Sequence, residues 1–325
     1  MLFRTLGKTG LRVSVLGLGT GSRFGRLEGS ATAADRIALV RTALDLGLNY
    51  FDTAAAYGDA EAFLGRALAG VPRGDYGVAT KFCPVLADGM KPAGMDAAPI
   101  TPADLRLSVE ASLRRLQVGM IDILQIHGLR PHWREPVMAA LGDELERLQA
   151  EGKFRFLGVT ETLVDDPRHK MVPAFAPDPR LATACLAYSL LSPWAELEAL
   201  PACQEHGVGA VAMVAVRRAL SDPAHLAAVV AAARAAGETI LDRRPASASL
   251  DWLLGPHTPT LAAAGYQYVL AHPAIASVLA GTLNPDHLRA NVLAACAPPL
   301  SAERVARIRD VFLRTDPTRW RTAGL

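Results

Sequence analysis

A carboxylate, a phenol, a lysine and an imidazole stand at the ends of successive apolar runs in this chain, and together they are the parts of a proton-transfer site. The first two lie in Phe51-Asp52-Thr53-Ala54-Ala55-Ala56-Tyr57-Gly58; the lysine closes Ala79-Thr80-Lys81 and the imidazole closes Gln125-Ile126-His127. A lone phenol, with a pKa near ~10, holds its proton too tightly to be a good acid near neutral pH. An ammonium within a few ångströms stabilises the phenolate and lowers that pKa, each unit corresponding to roughly 1.4 kcal/mol. Lys81 is the residue for that part. Asp52 would keep Lys81 charged and fixed, because an ammonium inside a protein is costly without a carboxylate partner. His127 would donate to, or orient, a substrate oxygen. The expectation is an enzyme whose catalytic residues are Tyr57, Lys81, Asp52 and His127.

Each residue has a plainer reading by itself. Asp52 with Thr53 would cap a helix, Tyr57 would be a packed aromatic with a wet hydroxyl, and His127 would be a satisfied structural histidine. Lys81 is harder to explain so, since lysine seldom ends a buried strand without a partner. The functional reading comes from the four together and in order.

The elements that must position them alternate regularly. Strand-like runs are expected at 13–18, 50–52, 76–81, 121–127, 154–160, 181–188, 209–215 and 275–279, with amphipathic helices between. The clearest helix is 102–116, with Leu105, Val109, Leu113 and Leu116 on one face, Thr101 as its cap and Pro102 in its first turn. A second runs from about Pro136 to Gly152, turning Val137, Leu141, Leu145 and Leu148 inward, and the Ala-rich run 226–236 reads as a packed helix. Eight strand-helix alternations without a break in composition predict an α/β fold, a (β/α)8 TIM barrel, as one domain over residues 1–325. Asp52, Lys81, His127 and Thr160-Glu161 then all fall at the C-terminal ends of strands, where such barrels carry their chemistry. Leu2 to Leu6 and Leu11 to Val15, around Gly7-Lys8-Thr9-Gly10, read as an N-terminal β-hairpin covering the other end. The segments 82–100 and 217–265 exceed minimal connectors and are expected to shape access to the site, the second with extra helix towards the C-terminus.

Composition narrows the partners. The 325 residues carry 34 basic and 32 acidic side chains, a net charge of +2 with no basic block. That argues against nucleic acid or a membrane surface and for a small, neutral or weakly anionic ligand. The four cysteines, Cys83, Cys185, Cys203 and Cys296, contain no CxxC pair, so neither a zinc cluster nor a disulfide framework is expected, and a reducing cytoplasm is the expected setting. There is no signal-like N-terminus and no uncharged apolar run near the ~18 residues of a membrane helix. Gly17-x-Gly19-x-Gly21 resembles a dinucleotide fingerprint only superficially, because its third glycine is misplaced and Ser22 to Gly29 opens no helix.

With the quartet and its order in view, the chain resembles the aldo-keto reductases over nearly its full length. Asp52 and Tyr57 lie in an Asp-Thr-Ala-x-x-Tyr-Gly pattern, Lys81 matches the strand-end lysine, and His127 closes Ile121-Asp122-Ile123-Leu124-Gln125-Ile126. Gly152-Lys153-Phe154-Arg155-Phe156-Leu157-Gly158-Val159 is similar to the family's approach to its fifth strand. The resemblance implies a barrel oxidoreductase that binds NAD or NADP in extended form, with Tyr57 as general acid or base. It carries cofactor contacts over to Gly19 and Thr20, Asp52, Thr160 and Glu161, and to Gly281, Thr282 and Leu283 with Asn291. Where the family usually shows Ser-Asn, this chain has Thr160-Glu161; Cys185 stands where glutamine is common, and Met213 where many members place an aromatic ring. Phe24 and Trp133, each shortly after a strand end that carries site residues, are the expected substrate contacts.

Two rivals remain at this stage. One is a cofactor-sensing or partner-binding subunit of the same fold with negligible turnover, which the departures at Glu161, Cys185 and Met213 would allow. The other is a metal-dependent barrel lyase, for which His127 and His132 lack a nearby acid of suitable spacing, so no metal site is expected.

Overall fold

A parallel sheet covered on both faces is built from short, continuously apolar runs, and the chain supplies eight of them. In the computed structural model, which describes residues 1–21, 31–84, 100–162, 165–238 and 249–321, a hairpin of β1 (Phe3–Thr5) and β2 (Arg12–Ser14) comes first. The barrel strands follow: β3 (Leu16–Gly19), β4 (Tyr50–Asp52), β5 (Gly77–Phe82), β6 (Ile121–Leu129), β7 (Phe154–Glu161), β8 (Leu181–Ala187), β9 (Gly209–Met213) and β10 (Ile275–Ala280). Each pairs in parallel with the next, and β10 returns to β3 to close the barrel. Every expected run contains a strand. The run 13–18 divides because Ser14 Oγ donates to the Leu16 carbonyl at 2.7 Å, turning the chain from hairpin into barrel.

The helices pack around this cylinder: α1 (Ala33–Asp45), α2 (Ala60–Leu68), α3 (Pro102–Leu116), α4 (Arg134–Ala150), α5 (Met171–Phe175), α6 (Ala199–Glu205), α7 (Arg218–Ser221), α8 (Pro223–Ala235), α9 (Leu261–Ala271), α10 (Pro285–Cys296), α11 (Ala302–Phe312) and α12 (Pro317–Arg321). Thr101 and Asp104 form a reciprocal capping box at the start of α3. Leu105, Val109 and Leu116 are buried while Leu113 is half-buried, and all four expected inward residues of α4 are buried. Among the described residues no helix is long and apolar enough to cross a membrane.

The hairpin closes one end of the lumen. Leu6 and Val13 are buried with Tyr50, Ala79, Ile123, Cys185, Val211 and Ala276 inside the barrel. Gly209 is required here: a Cβ on it would lie 2.7 Å from Leu6 Cγ. With the floor filled, chemistry is left to the opposite, C-terminal rim.

The C-terminal helices are tied to that rim by one buried carboxylate. Glu196, in the turn after β8, accepts from the hydroxyls of Tyr188 and Tyr268 and pairs with Arg309 of α11. Trp320 of α12 lies edge-on to Phe312 and donates through Nε1 to Glu238 at 2.7 Å. Arg309→Ala should cost about 1–3 kcal/mol, because it removes the cation from a carboxylate that is only 7% exposed. The thermal midpoint measures this, and an unchanged midpoint would show that the two phenols suffice.

Candidate active site

The register of β4, β5 and β6 brings the quartet together. Asp52 is paired with Ala79, Lys81 with Gln125, and His127 follows two residues later on the same face as Gln125. Lys81 Nζ donates to Asp52 Oδ1 at 2.5 Å and to the Thr53 carbonyl at 2.6 Å. The pair is sealed from water, with side chains 3% and 5% exposed. The ammonium lies 5.0 Å from the centre of the Tyr57 ring. Tyr57 Oη is 3.5 Å from His127 Nε2, with the two rings edge-on. Gly21 backs the phenol: a Cβ there would meet ring atoms of Tyr57 at 3.4 Å.

Electrostatics assigns the resting protonation of each group. Burial works against the charge on Lys81, but Asp52, with Tyr57 and Cys185, reverses this and raises the ammonium above its ordinary range. Burial pushes the Tyr57 phenol up; Lys81 pulls it down, and Asp52 pushes up again. The lysine therefore acts in the expected direction, yet burial outweighs it, and the phenol stands protonated. Burial, followed by the Lys81 charge, pushes His127 down to about 3, so the imidazole is neutral near pH 7.

Gln125 is a site residue that sequence reasoning passed over. Its Nε2 donates to Asp52 Oδ2 at 2.8 Å, so the acid is held at both oxygens. Its only signal was its place two residues before His127 on the same strand face.

The expected cofactor contacts divide. Gly19 and Gly281 end β3 and follow β10, where an added Cβ would meet nothing nearer than 3.5 Å at Gly19 and nothing within 4 Å at Gly281. That open rim beside Asp52 fits an extended cofactor. Beyond it, Thr282 and Leu283 are half-buried, Asn284 caps α10 by accepting from Asp286 N at 2.8 Å, and Asn291 lies half-buried on that helix. Thr20 is fully buried, its amide and hydroxyl both donating to the Asp52 carbonyl. Thr160 Oγ1 accepts from the Gly128 amide at 2.8 Å.

Glu161 departs from expectation. Phe156 packs against the lumen cluster and a Cβ on Gly158 would meet Gln125 and Ile123, so strand alternation turns Glu161 to the outer face of β7. There its carboxylate meets His169 Nδ1 at 2.7 Å and the Ala187 amide at 3.3 Å, with both side chains fully buried. Trp133 also differs from the expected substrate wall. Its indole is 2% exposed, stacked under the Arg130 guanidinium and packed into the helix-strand shell. Phe24 lies outside the described residues.

Two further departures pack with the lumen cluster. Cys185 is in the lumen, its thiol pushed up by burial and then by the Asp52 charge. Met213 ends β9, and Val214 after it has a φ of 58°, a conformation that costs a β-branched residue about 1–3 kcal/mol. Among the described residues no group of three His, Cys, Asp or Glu side chains is arranged to hold a metal ion.

The sequence profile of the Aldo/keto reductase family matches residues 15–312. The chain belongs to that family. As a whole structure this aldo/keto reductase is similar to one from Bacillus halodurans in its holo form, with a TM-score of 0.72 and 28% identity over 96% of each chain. It is also similar to an aldo-keto reductase from Klebsiella pneumoniae in complex with NADPH, with a TM-score of 0.68 and 25% identity over 96% of each chain. Among curated proteins, an L-galactose dehydrogenase of Arabidopsis thaliana is 39% identical over 166 residues. That match covers 50% of this chain and 49% of the plant protein, so the chain spans about half the length of the curated relative.

Proposed function

We propose that this aldo/keto reductase is an NAD(P)-dependent oxidoreductase that moves a hydride to or from an aldehyde, ketone or sugar lactol, with Tyr57 as the general acid or base. The observation that carries the reading is the sealed Asp52–Lys81 pair set against the phenol, with His127 Nε2 3.5 Å from its hydroxyl. The partial match to an L-galactose dehydrogenase supports a sugar lactol as the substrate to test first.

The nicotinamide cofactor, when bound, supplies or accepts the hydride. Gly19, Gly281, Thr282, Leu283 and Asn291 are the residues that would hold it along the rim. In reduction, the Tyr57 hydroxyl gives its proton to the carbonyl oxygen; in oxidation, the phenolate takes the proton from the substrate hydroxyl. Lys81 offsets the charge that then develops on the phenolate. Neutral His127 offers one ring N–H to the same substrate oxygen, which fixes the carbonyl against Tyr57. In this reading a reducing cytoplasm suits the four cysteines, which form no disulfide among the described residues.

Cofactor choice follows from charge near the start of α10. Many NADP-dependent members place a lysine and an arginine at positions matching Gly281 and His287, and neither is a permanent cation here. Asp286 adds a negative charge in the first turn, while the helix amides, and Arg289 if it turns inward, would favour a phosphate. The balance favours NAD, or weak discrimination. Purified protein assayed on aldoses, aldehydes and ketones with both cofactors tests the activity, and a cofactor titration at one ionic strength tests the preference. Cofactor binding without turnover across the panel would sink the enzyme reading. NADP(H) bound 100-fold tighter, about 2.7 kcal/mol, would overturn the charge argument.

A further inference from the structure

Gln125 is 1% exposed and faces the lumen between two partners in register, Lys81 on β5 and Gly158 on β7. Its amide donates to Asp52 Oδ2 at 2.8 Å, while Lys81 holds Oδ1 at 2.5 Å. A carboxylate gripped by two donors on different strands cannot rotate without losing one of them. Room for this grip is built into the next strand. A Cβ on Gly158 would sit 3.0 Å from Gln125 Cγ and 2.4 Å from Thr183 Oγ1, so the glycine leaves the space the glutamine occupies.

We propose that Gln125 is a positioning residue that fixes the Asp52 carboxylate and, through it, the Lys81 ammonium against the Tyr57 ring. The inference rests on the reading of Tyr57 as the proton carrier. Besides burial, the groups that set the phenol's charge balance are Lys81, Asp52 and Cys185. Asp52 opposes ionisation of the phenol and Lys81 favours it. An amide donor disperses part of the carboxylate's charge. Gln125 thus weakens the acid's effect on the phenol while leaving the ammonium in place.

The test uses the full chain with Gln125→Met and Gln125→Glu. Gln125→Met keeps the volume and loses the donor; kcat should fall about tenfold while cofactor affinity stays within about twofold, and the pH limb for Tyr57 ionisation should move upward. Gln125→Glu places a second carboxyl against Asp52, and the two can share one proton. Its activity should therefore recover as the pH is lowered and the new acid becomes a donor, a pH limb that the unsubstituted chain lacks. A role in packing alone would create no such limb. A crystal structure of Gln125→Met should show Asp52 turned from its present rotamer, and this readout needs no turnover. If the unsubstituted protein turns over no substrate, the oxidoreductase reading fails while the crystal comparison still decides the positioning claim. An unmoved Asp52–Lys81 pair, or normal kcat in both variants with no new pH limb, would overturn it.

Discussion

Tyr57→Phe is expected to lose turnover by on the order of 100-fold or more while binding its cofactor as tightly as the unsubstituted chain. The substitution removes one oxygen and leaves the ring that packs against Lys81 and Gly21. Neither His127 nor Lys81 is set up to take over the proton. His127 is neutral, since burial and Lys81 push it down to about 3, and Lys81 is bound to Asp52 and to the Thr53 carbonyl. The phenol is held above its ordinary range by burial, so carbonyl reduction should persist through neutral pH and fall only in the alkaline range, as Tyr57 ionises. Substrate oxidation needs the phenolate and should rise over the same range. No limb should appear near ~6.5, where an ordinary histidine titrates. Turnover and cofactor binding measured on one preparation check the assignment; near-normal turnover in the variant would remove Tyr57 from its role.

Much of this was legible in the chain because barrel chemistry is tied to strand ends, and strand ends are marked by the change from apolar run to polar residue. Tyr50 to Asp52 is a strand with those limits, and helix 102–116 has the cap and start that Thr101 and Pro102 indicate. The sequence was silent where a side chain's direction depends on alternation within a strand. Glu161, adjacent to Thr160, lies on the opposite face of β7 and meets His169, a residue eight positions on in an irregular stretch with a φ of 58°. Trp133 looked like a site residue because it follows a strand end, but a 3₁₀ turn at Pro131–Trp133 carries it under Arg130 and into the shell. Gln125 was missed for the opposite reason: an uncharged residue inside a buried strand gives no chemical signal until its partner's second oxygen is located in space. The same dependence on burial made the direction of the Tyr57 shift unreadable from the list of its neighbours alone.

Lys81→Met should damage both stability and chemistry, and the two losses separate. Removing the ammonium leaves Asp52 buried with Gln125 as its remaining side-chain donor among the described residues, and breaking a buried pair in this way costs about 3–5 kcal/mol. The phenol also loses the ammonium that lowers its pKa, while burial and Asp52 still raise it. Its ionisation limb should therefore move to higher pH as turnover falls, whereas a merely unstable variant would lose activity with its pH profile in place. Adding Asp52→Asn to Lys81→Met removes the stranded charge and keeps an acceptor for Gln125. The double variant should regain much of the thermal stability without regaining turnover, because the source of positive charge beside Tyr57 is still missing. Thermal unfolding of the two single variants and the double variant, followed by pH-rate profiles on those that fold, distinguishes the roles. A double variant that recovers turnover together with stability would show that Lys81 serves the fold and leaves the phenol to burial and His127 alone.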